Sequence, residues 1–438
     1  MKKQMLIRIP WTDPHFPEGY LSGNKDAIVS NSRLCRAAIE RGLDKFILTK
    51  VFTGSKWRPL YVDKLLKYQE EGTREMSSKT IADVVESLIG AGWRMGGLQT
   101  SLSIAKVFLP ELDLPSLEVG RGRLFDLAPA NIQLPANLHQ LETLAGYSFK
   151  KKSLLIQAMS HRSDSTAIAS YERLEFLGDT ILEIIIVTEI MAYEDKLSHS
   201  FMHLYKTALV NGDYLGFIAL EWNITQKKTD LKENPKSGSI EKVESQFALP
   251  LWRFMRHGST GVGREQRDVE RRHALLRHDI LCAIESGTDY PWTLLAKIHM
   301  NKFYSDLVES LLGAVWIDSG SMDTCKQLLD RMGILQYLHK IIQNQVHVLH
   351  PREELGILAG DKEVKYDVQV QKMDDGRAEW TCTVFVGGTQ VSEVTQGISS
   401  DEVRTRAAER AVSSLRSAKR RPGSPIVYGK RISGSSRA

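Results

Sequence analysis

Two acidic pairs at helical spacing are the residues of this sequence best suited to do chemistry. Glu175 and Asp179 are four residues apart, and Asp306 and Glu309 are three apart. In a helix, each pair projects from one face. Both pairs stand within apolar runs, where carboxylates are costly unless they are paired or bind a metal ion. If the four carboxylates converge, their mutual repulsion favours a hard divalent cation, Mg²⁺ or Mn²⁺, between them.

Acids at these spacings also occur on ordinary amphipathic helices, with their carboxylates in water. Two features of the sequence favour the metal site over that alternative. One is the string Glu-Arg-Leu-Glu-Phe-Leu-Gly-Asp at residues 172–179. The other is an internal repeat, because residues 79–93 and 302–316 share the spacing Lys-x3-Asp-x2-Glu-Ser-Leu-x-Gly-Ala-x-Trp. A repeat of this kind indicates two related domains in one chain.

These motifs resemble those of the ribonuclease III family. Their tandem order is similar to the C-terminal half of the Dicer-like proteins of filamentous fungi, most nearly their second type. The resemblance implies a mainly α fold, with tandem all-helical ribonuclease III domains followed by a small α+β domain. The first repeat has Asp83 and Glu86 but no counterpart of residues 172–179. We therefore expect a C-terminal fragment with a partial first nuclease domain and a complete second one.

The resemblance implies divalent-metal-dependent cleavage of double-stranded RNA that leaves 5′-phosphate ends, as in small-RNA production for RNA silencing and antiviral defence. Glu175, Asp179, Asp306 and Glu309 are then the Mg²⁺ or Mn²⁺ ligands of a two-metal centre that activates water and stabilises the leaving oxygen. Lys302 is predicted to neutralise Asp306 or to contact the scissile phosphate, and a surface ion pair is the alternative.

The incomplete first repeat limits what its acids can do. Asp83 and Glu86 are potential metal ligands, but they form only half a centre. Nuclease domains of this family act in pairs, each cutting one strand. We therefore expect either nicking of one strand or cutting of both strands through a homodimer of the second domain. The alternative function is a non-catalytic double-stranded-RNA binder or silencing cofactor.

A second family feature, residues 141–163, lies upstream of the acidic string and contains His161. This histidine could act on the substrate, or it could be a capping or packed residue near the site. The second interpretation is favoured.

Length and composition predict a soluble intracellular protein, in the cytoplasm or the nucleus. The 438 residues suffice for two to three domains, and the hydrophobic content of 42% is ordinary for globular chains. Four cysteines without a Cys-x-x-Cys motif indicate neither a zinc knuckle nor a disulfide framework. The sequence shows neither a signal peptide nor an apolar run long enough to span a bilayer.

Basic residues are unevenly distributed along the chain. Residues 253–277 contain seven arginines and three acids, and a phosphate backbone attracts such a segment. A solvated surface is the alternative. Because the segment continues into a helical pattern, we expect a basic helix beside the nuclease core that holds one strand of a duplex. The residues predicted to bind RNA are Arg264, Arg267, Arg271, Arg272, Arg404 and Arg406.

Turn residues and changes of pattern predict the domain boundaries. Helical periodicity dominates residues 25–110 and 140–345. The turn-rich stretch 114–135 indicates a linker, and the polar stretch 227–263 indicates a loop or insertion. The predicted domains are a partial first nuclease domain (1–125), a linker (126–135), a second nuclease domain (136–346), a double-stranded-RNA-binding-like domain (349–418) and a basic disordered tail (419–438).

The C-terminal segment has an α-β-β-β-α pattern that resembles a double-stranded-RNA-binding domain. Its strands are predicted at 364–370, 379–386 and 389–395, with a hairpin turn at 374–376. The RNA-binding motifs are degraded, because Asp401 and Glu402 stand where that family carries a lysine pair. Arg404 and Arg406 remain as phosphate contacts, and a structural or docking role is an equal alternative.

Overall fold

A computed structural model of the chain describes residues 19, 23, 26–47, 76–110, 117–167, 169–193, 197–233, 240–373 and 378–419. These residues are mainly α-helical and include two small antiparallel sheets, which confirms the predicted fold class. In this part of the chain, no helix combines the length and the apolar character needed to cross a bilayer. The predicted tail beyond residue 419 lies outside the described residues.

The helices and strands are numbered here in chain order. The helices are α1 (Asn31–Glu40), α2 (Ser78–Phe108), α3 (Leu117–Leu127), α4 (Leu138–Ala145), α5 (Lys152–Ala158), α6 (Glu172–Ala192), α7 (His199–Leu209), α8 (Gly212–Glu221), α9 (Thr260–Ser286), α10 (Trp292–Ile298), α11 (Phe303–Ser319), α12 (Met322–Arg331), α13 (Ile334–Gln343), α14 (Pro351–Ala359) and α15 (Ser400–Lys419). The strands are β1 (Asn223–Glu233), β2 (Ile240–Pro250), β3 (Val364–Lys372), β4 (Ala378–Val386) and β5 (Thr389–Gly397). Short 3-10 helices lie at Leu43–Phe46 and Leu251–Phe254.

The chain divides into two compact units. One comprises residues 1–196, 221–258 and 305–334, and the other comprises 197–220, 259–304 and 335–438. The acidic string in α6 and the acids of α11 therefore belong to the first unit. The basic helix α9 and the C-terminal strands belong to the second.

The helices of the first repeat, α1 and α2, share one apolar core. Leu34, Val85 and Leu109 are among its buried residues. Serine side chains cap both helices, because the Oγ atoms of Ser30 and Ser77 accept backbone N–H bonds from the first turn. At Gly97, whose φ is +63°, α2 breaks, a conformation that glycine adopts without strain. The first repeat is thus helical as its spacing predicts.

Helix α3 lies where turn residues predict a linker. Tertiary contacts stabilise this helix despite its two internal glycines. Lys151 Nζ donates to the carbonyl oxygens of Phe125 and Ala128 at 2.6 and 2.8 Å, and so caps the last turn. Arg121 Nη1 donates to Ile317 O of α11 at 2.6 Å.

Strands β1 and β2 form a hairpin within the stretch predicted to be a loop. They pair antiparallel along their full length, from Asn223 opposite Pro250 to Glu233 opposite Ile240. The loop alternative for residues 227–263 is therefore wrong for most of their length, and the insertion alternative stays a prediction. Strand prediction relies on alternation between a buried and an exposed face. A two-stranded ribbon with polar residues on both faces does not show that alternation.

The second unit is built on α7 to α10. Buried polar groups cross-link its helices, since Tyr290 Oη donates to Ala208 O at 2.7 Å and Trp292 Nε1 donates to Val348 O at 3.2 Å. Helix α9 differs from these packed helices. It extends for 27 residues, yet only Val269 and Ile280 are buried, so most of its surface faces solvent.

The C-terminal segment has the predicted α-β-β-β-α order. Helices α14 and α15 flank a three-stranded antiparallel sheet with the strand order β3-β4-β5. Apolar residues of β4, β5 and α15, including Val384, Val394 and Ala407, form its core. The predicted turn at 374–376 lies outside the described residues.

Candidate metal centre

Helices α6 and α11 cross at a pair of glycines. A Cβ atom added to Gly178 would lie 1.7 Å from the carbonyl oxygen of Glu309, and one added to Gly313 would lie 2.2 Å from that of Leu174. Only hydrogen fits at either position, so the two backbones are in direct contact. This close approach brings the acidic side chains of both helices to one place.

Three of the four predicted ligands meet beside this crossing. One carboxylate oxygen from each of Glu175, Asp306 and Glu309 lies within 4.8 Å of the other two. Asp306 and Glu309 are only 5% and 8% exposed, and Glu175 is half-buried. Among the residues that the structure describes, no other three or more side chains form such a group.

The surroundings of this acidic group fit a divalent cation. Leu307 and Leu311, which flank the acids of α11, are fully buried. Negative charges this close together in a poorly hydrated place repel one another and are expensive without a counter-charge. Carboxylate oxygens are the ligands that Mg²⁺ prefers. The donor set therefore suits a hard divalent cation.

Tyr171 is a buried residue beside the acidic group that sequence reasoning missed. It lies directly before α6 and is 5% exposed. Burial raises the pKa of its hydroxyl, and the carboxylates of Asp306, Glu172 and Glu175 raise it further. No spacing rule could have found it.

Ser310 connects α11 to a second neighbouring helix, α5. Its buried hydroxyl donates to Ala158 O, at the end of α5, at 2.8 Å. This serine belongs to the repeated motif, and its counterpart Ser87 donates to Asp83 O within its own helix at 2.8 Å. The repeated serine thus has an interhelical role in the second copy.

Asp179 and Lys302 are not part of the three-carboxylate group. Asp179 is half-buried one helical turn beyond Glu175 on α6. Lys302 is exposed and immediately precedes α11. Their predicted roles as a metal ligand and as a catalytic cation stay predictions.

The acids of the first repeat lie in a different environment. Asp83 forms an ion pair with Lys79 at 2.9 Å, and its side chain is 49% exposed. The charge and hydrogen bond of Asp83 raise the pKa of Lys79. Within the described ranges, no third ligand joins Asp83 and Glu86. Their role as metal ligands is likewise still a prediction.

His161 is held by local hydrogen bonds. Its Nδ1 accepts the backbone N–H of Ser163 at 3.1 Å. Burial lowers the pKa of the ring, and the charges of Arg162 and His257 lower it further. The ring is half-buried and caps its own turn, as expected for a packed histidine.

The arginines of α9 fall into two groups. Arg264, Arg267 and Arg271 are exposed, and their spacing of three and four residues places them along one side of the helix. Arg272 is held instead by α10, because its guanidinium donates to Ile298 O and His299 O at 2.7 and 3.1 Å. Arg264, Arg267 and Arg271 could contact phosphates, whereas Arg272 forms hydrogen bonds with carbonyl groups at the end of α10.

The first turn of helix α15 contains a buried acid that pairs with an arginine of the same helix. Glu402 is 2% exposed and accepts hydrogen bonds from Arg406 Nη1 at 2.8 Å and from Ile398 N at 3.3 Å. Arg404 is half-buried. RNA binding by Arg404 and Arg406 remains a prediction.

Comparisons with known proteins agree with the mainly helical architecture. A model of the ribonuclease III domain matches residues 3–96 and 172–320, which include both copies of the repeat and more than half of the chain. The chain belongs to the ribonuclease III family. A second model, the dsRNA binding domain of Dicer-like protein 2, matches residues 344–424. The resemblance inferred from the motifs is confirmed.

Curated relatives of this ribonuclease III chain include Dicer-like protein 2 from several fungi. The Cryphonectria parasitica protein is 42% identical over 437 residues, covering 95% of this chain and 30% of the relative. The Pyricularia oryzae protein is 41% identical, with 90% and 28% covered, and the Neurospora crassa protein is 38% identical, with 91% and 30% covered. The chain thus spans about 30% of the length of these relatives.

Proposed function

We propose that this chain is a divalent-metal-dependent endoribonuclease that cleaves double-stranded RNA and leaves 5′-phosphate ends. The observation that supports it best is the group formed by Glu175, Asp306 and Glu309 at the crossing of α6 and α11. Its family and the names of its relatives point to the same reaction. We further propose an intracellular role in small-RNA production for RNA silencing and antiviral defence, in the cytoplasm or the nucleus.

The acidic side chains bind and orient the ion in this proposal. A divalent cation in such a site lowers the pKa of bound water and stabilises charge on the phosphate oxygens. Asp306 and Glu309 present their oxygens from one face of α11, and Glu175 faces them from α6. Asp179, one turn further along α6, would complete the ligand set. Lys302 would contact the scissile phosphate.

Cleavage and binding can be separated by one substitution. Asp306→Asn removes a carboxylate from the group while nearly preserving its shape. We expect this variant to bind duplex RNA with unchanged affinity and to lose Mg²⁺-dependent cleavage of it. A wild-type chain that binds duplex RNA without cutting it would instead be a non-catalytic binder.

Recognition of the duplex is proposed to depend on phosphates and A-form shape rather than on base sequence. Arg264, Arg267 and Arg271 supply a row of exposed positive charge on α9. Reversing all three to glutamate should weaken duplex binding and reduce the slope of log affinity against log salt by about 3, roughly one unit for each lost phosphate contact.

The matched control reverses three exposed cations of the first repeat, Arg36, Arg94 and Lys106. It changes the net charge by the same amount at a different place. If both triple variants weaken binding equally, net charge rather than the α9 row is responsible. If the α9 variant binds normally, the row does not contact RNA.

The number of strands cut depends on how the nuclease domains pair. We propose either nicking by one copy of the chain or cleavage of both strands by a homodimer formed through the second domain. Duplexes labelled on each strand in turn, assayed together with the mass of the protein in solution, distinguish the two. Cleavage of both strands by a monomer would contradict the proposal.

A further inference from the structure

We infer that Glu354 is a positioning residue for duplex binding, because it fastens the C-terminal segment to helix α10, which in turn holds the arginine row of α9 in place. This role rests on the proposed contact between that row and RNA. It makes the C-terminal segment a brace for α9, and the bracing needs no RNA contact of the segment itself.

Glu354 is the central residue of a clamp that it forms with His347 and Arg416. His347 Nε2 donates to Glu354 Oε2 at 3.0 Å, since an ionised carboxylate can only accept. Arg416, near the end of α15, forms an ion pair with the other carboxylate oxygen. The side chain of Glu354 is only 12% exposed, so solvent screens these contacts less than those of a surface pair. One carboxylate thus joins α14, α15 and the segment before α14.

The backbone of His347 fastens the clamp to the residues that lead into α10. His347 O accepts from Tyr290 N at 2.9 Å, and His347 N donates to Thr288 O at 2.8 Å. These bonds form a short parallel bridge between the two segments. Beside the bridge, Trp292 Nε1 donates to Val348 O at 3.2 Å. The clamp therefore acts on a residue whose backbone is paired with the start of α10.

The other end of α10 holds α9. Arg272 donates to Ile298 O at 2.7 Å and to His299 O at 3.1 Å, and it directly follows Arg271 of the exposed row. Helix α9 buries few of its own residues, so it has little apolar contact that could fix its position. Helix α15 also contacts α10. The position of the row therefore depends on α10, and that of α10 depends on the clamp.

Glu142 provides a matched control in the other compact unit. Its side chain is also 12% exposed, it pairs with Lys152 Nζ at 2.6 Å, and it accepts the backbone N–H of Phe149 at 2.7 Å. Glu142→Gln and Glu354→Gln therefore remove the same charge from similar surroundings. Each raises the net charge by one, which by itself favours binding to a polyanion. A loss of RNA affinity in Glu354→Gln thus cannot come from the change of charge.

The experiment compares these variants in the full chain, with a labelled RNA duplex in metal-free buffer as the probe. We expect Glu354→Gln to speed backbone hydrogen exchange at Tyr290 and His347 by about 10-fold or more, because hydrogen bonds to a charged group are lost. Arg416→Gln removes the same ion pair from its more exposed side and should also speed this exchange. Glu142→Gln should change neither the exchange nor RNA binding.

Duplex affinity of Glu354→Gln should fall by up to about 10-fold, since apparent affinity follows the fraction of molecules in the binding-competent arrangement. The slope of log affinity against log salt should stay unchanged, because the bound state makes the same phosphate contacts. With Arg264, Arg267 and Arg271 reversed to glutamate, Glu354→Gln should have no further effect at low salt, because both changes act through one row.

Four results would overturn the inference while leaving the proposed nuclease function intact. They are unaltered exchange in Glu354→Gln, wild-type RNA affinity in that variant, an equal loss of affinity in Glu142→Gln, and a loss that persists after the row is reversed. A wild-type chain that binds no duplex RNA would overturn the proposed function and this inference with it. A wild-type chain that binds RNA without cutting it, and loses affinity in Glu354→Gln as described, would overturn only the nuclease proposal.

Discussion

The contact between α6 and α11 can be tested by adding a single methyl group. In Gly178→Ala, the new Cβ would lie 1.7 Å from Glu309 O and 2.5 Å from the carbon of the same carbonyl. Ordinary contact begins near 3.4 Å, so the backbones must separate by about 1.7 Å. No flexible side chain is available to absorb this displacement, because the clashing atoms belong to the backbone of α11.

The displacement has a cost in stability and a larger one in activity. Overpacking of this kind costs about 3 kcal/mol when backbone must move, and the better helix propensity of alanine returns about 1 kcal/mol. We therefore expect the free energy of unfolding to fall by about 2 kcal/mol. Glu309 would also move away from Glu175 by more than 1 Å, and misplacement of that size reduces catalysis by about 100-fold.

Chemical denaturation followed by circular dichroism measures the first effect, and cleavage of a labelled RNA duplex at saturating Mg²⁺ measures the second. Gly356→Ala is the control, because Gly356 is an exposed glycine of α14 whose added Cβ meets nothing within 4 Å. It should raise stability by about 0.5–1 kcal/mol and leave cleavage unchanged. Wild-type stability and cleavage in Gly178→Ala would refute the idea that this glycine crossing assembles the centre.

Three further predictions concern the rest of the fold. Burial and the charge of Asp401 raise the pKa of Asp213 to about 6, so the stabilising effect of its neutral form is complete below pH 3.8 and is lost as the pH rises through 6. The stability advantage of Asp213→Asn over wild type should grow by up to about 3 kcal/mol between pH 4 and pH 7. A difference in unfolding free energy that stays constant over this pH range would contradict this. Asp318→Asn should lose about 3 kcal/mol, since an amide cannot accept all three of its hydrogen bonds; a loss below 1 kcal/mol in thermal unfolding would be inconsistent. Arg272→Ala should destabilise the protein by about 1–2 kcal/mol and leave the salt slope of RNA binding unchanged. Arg271→Ala should instead leave the stability unchanged and reduce the salt slope. Equal effects of the two substitutions would contradict this distinction.

Much of the acidic centre could be predicted from the sequence because helical spacing is a local property. The three-residue separation of Asp306 and Glu309 places both on one face of a helix, and α11 forms as expected. The repeat at residues 79–93 is helical for the same reason. The α-β-β-β-α order near the C-terminus is also predictable from the sequence, since buried and half-buried residues alternate along the second half of β4.

The remaining features depend on contacts between distant segments. Tyr171 has no periodic signal that would place it beside the acidic group. Glu175 meets the acids of α11 because Gly178 and Gly313 have no side chains and allow the two helices to approach closely. The pattern of residues within one helix does not reveal such a contact. Strands β1 and β2 lie in a stretch predicted as a loop or insertion, because their polar residues do not show the alternation that indicates a strand.

The centre itself is tested most directly by locating bound Mn²⁺ from its anomalous scattering in crystals of the chain. The account predicts a peak bounded by the carboxylate oxygens of Glu175, Asp306 and Glu309, within bonding distance of them, and its loss in Asp306→Asn. No peak at that place, at a Mn²⁺ concentration that supports RNA cleavage, would contradict it.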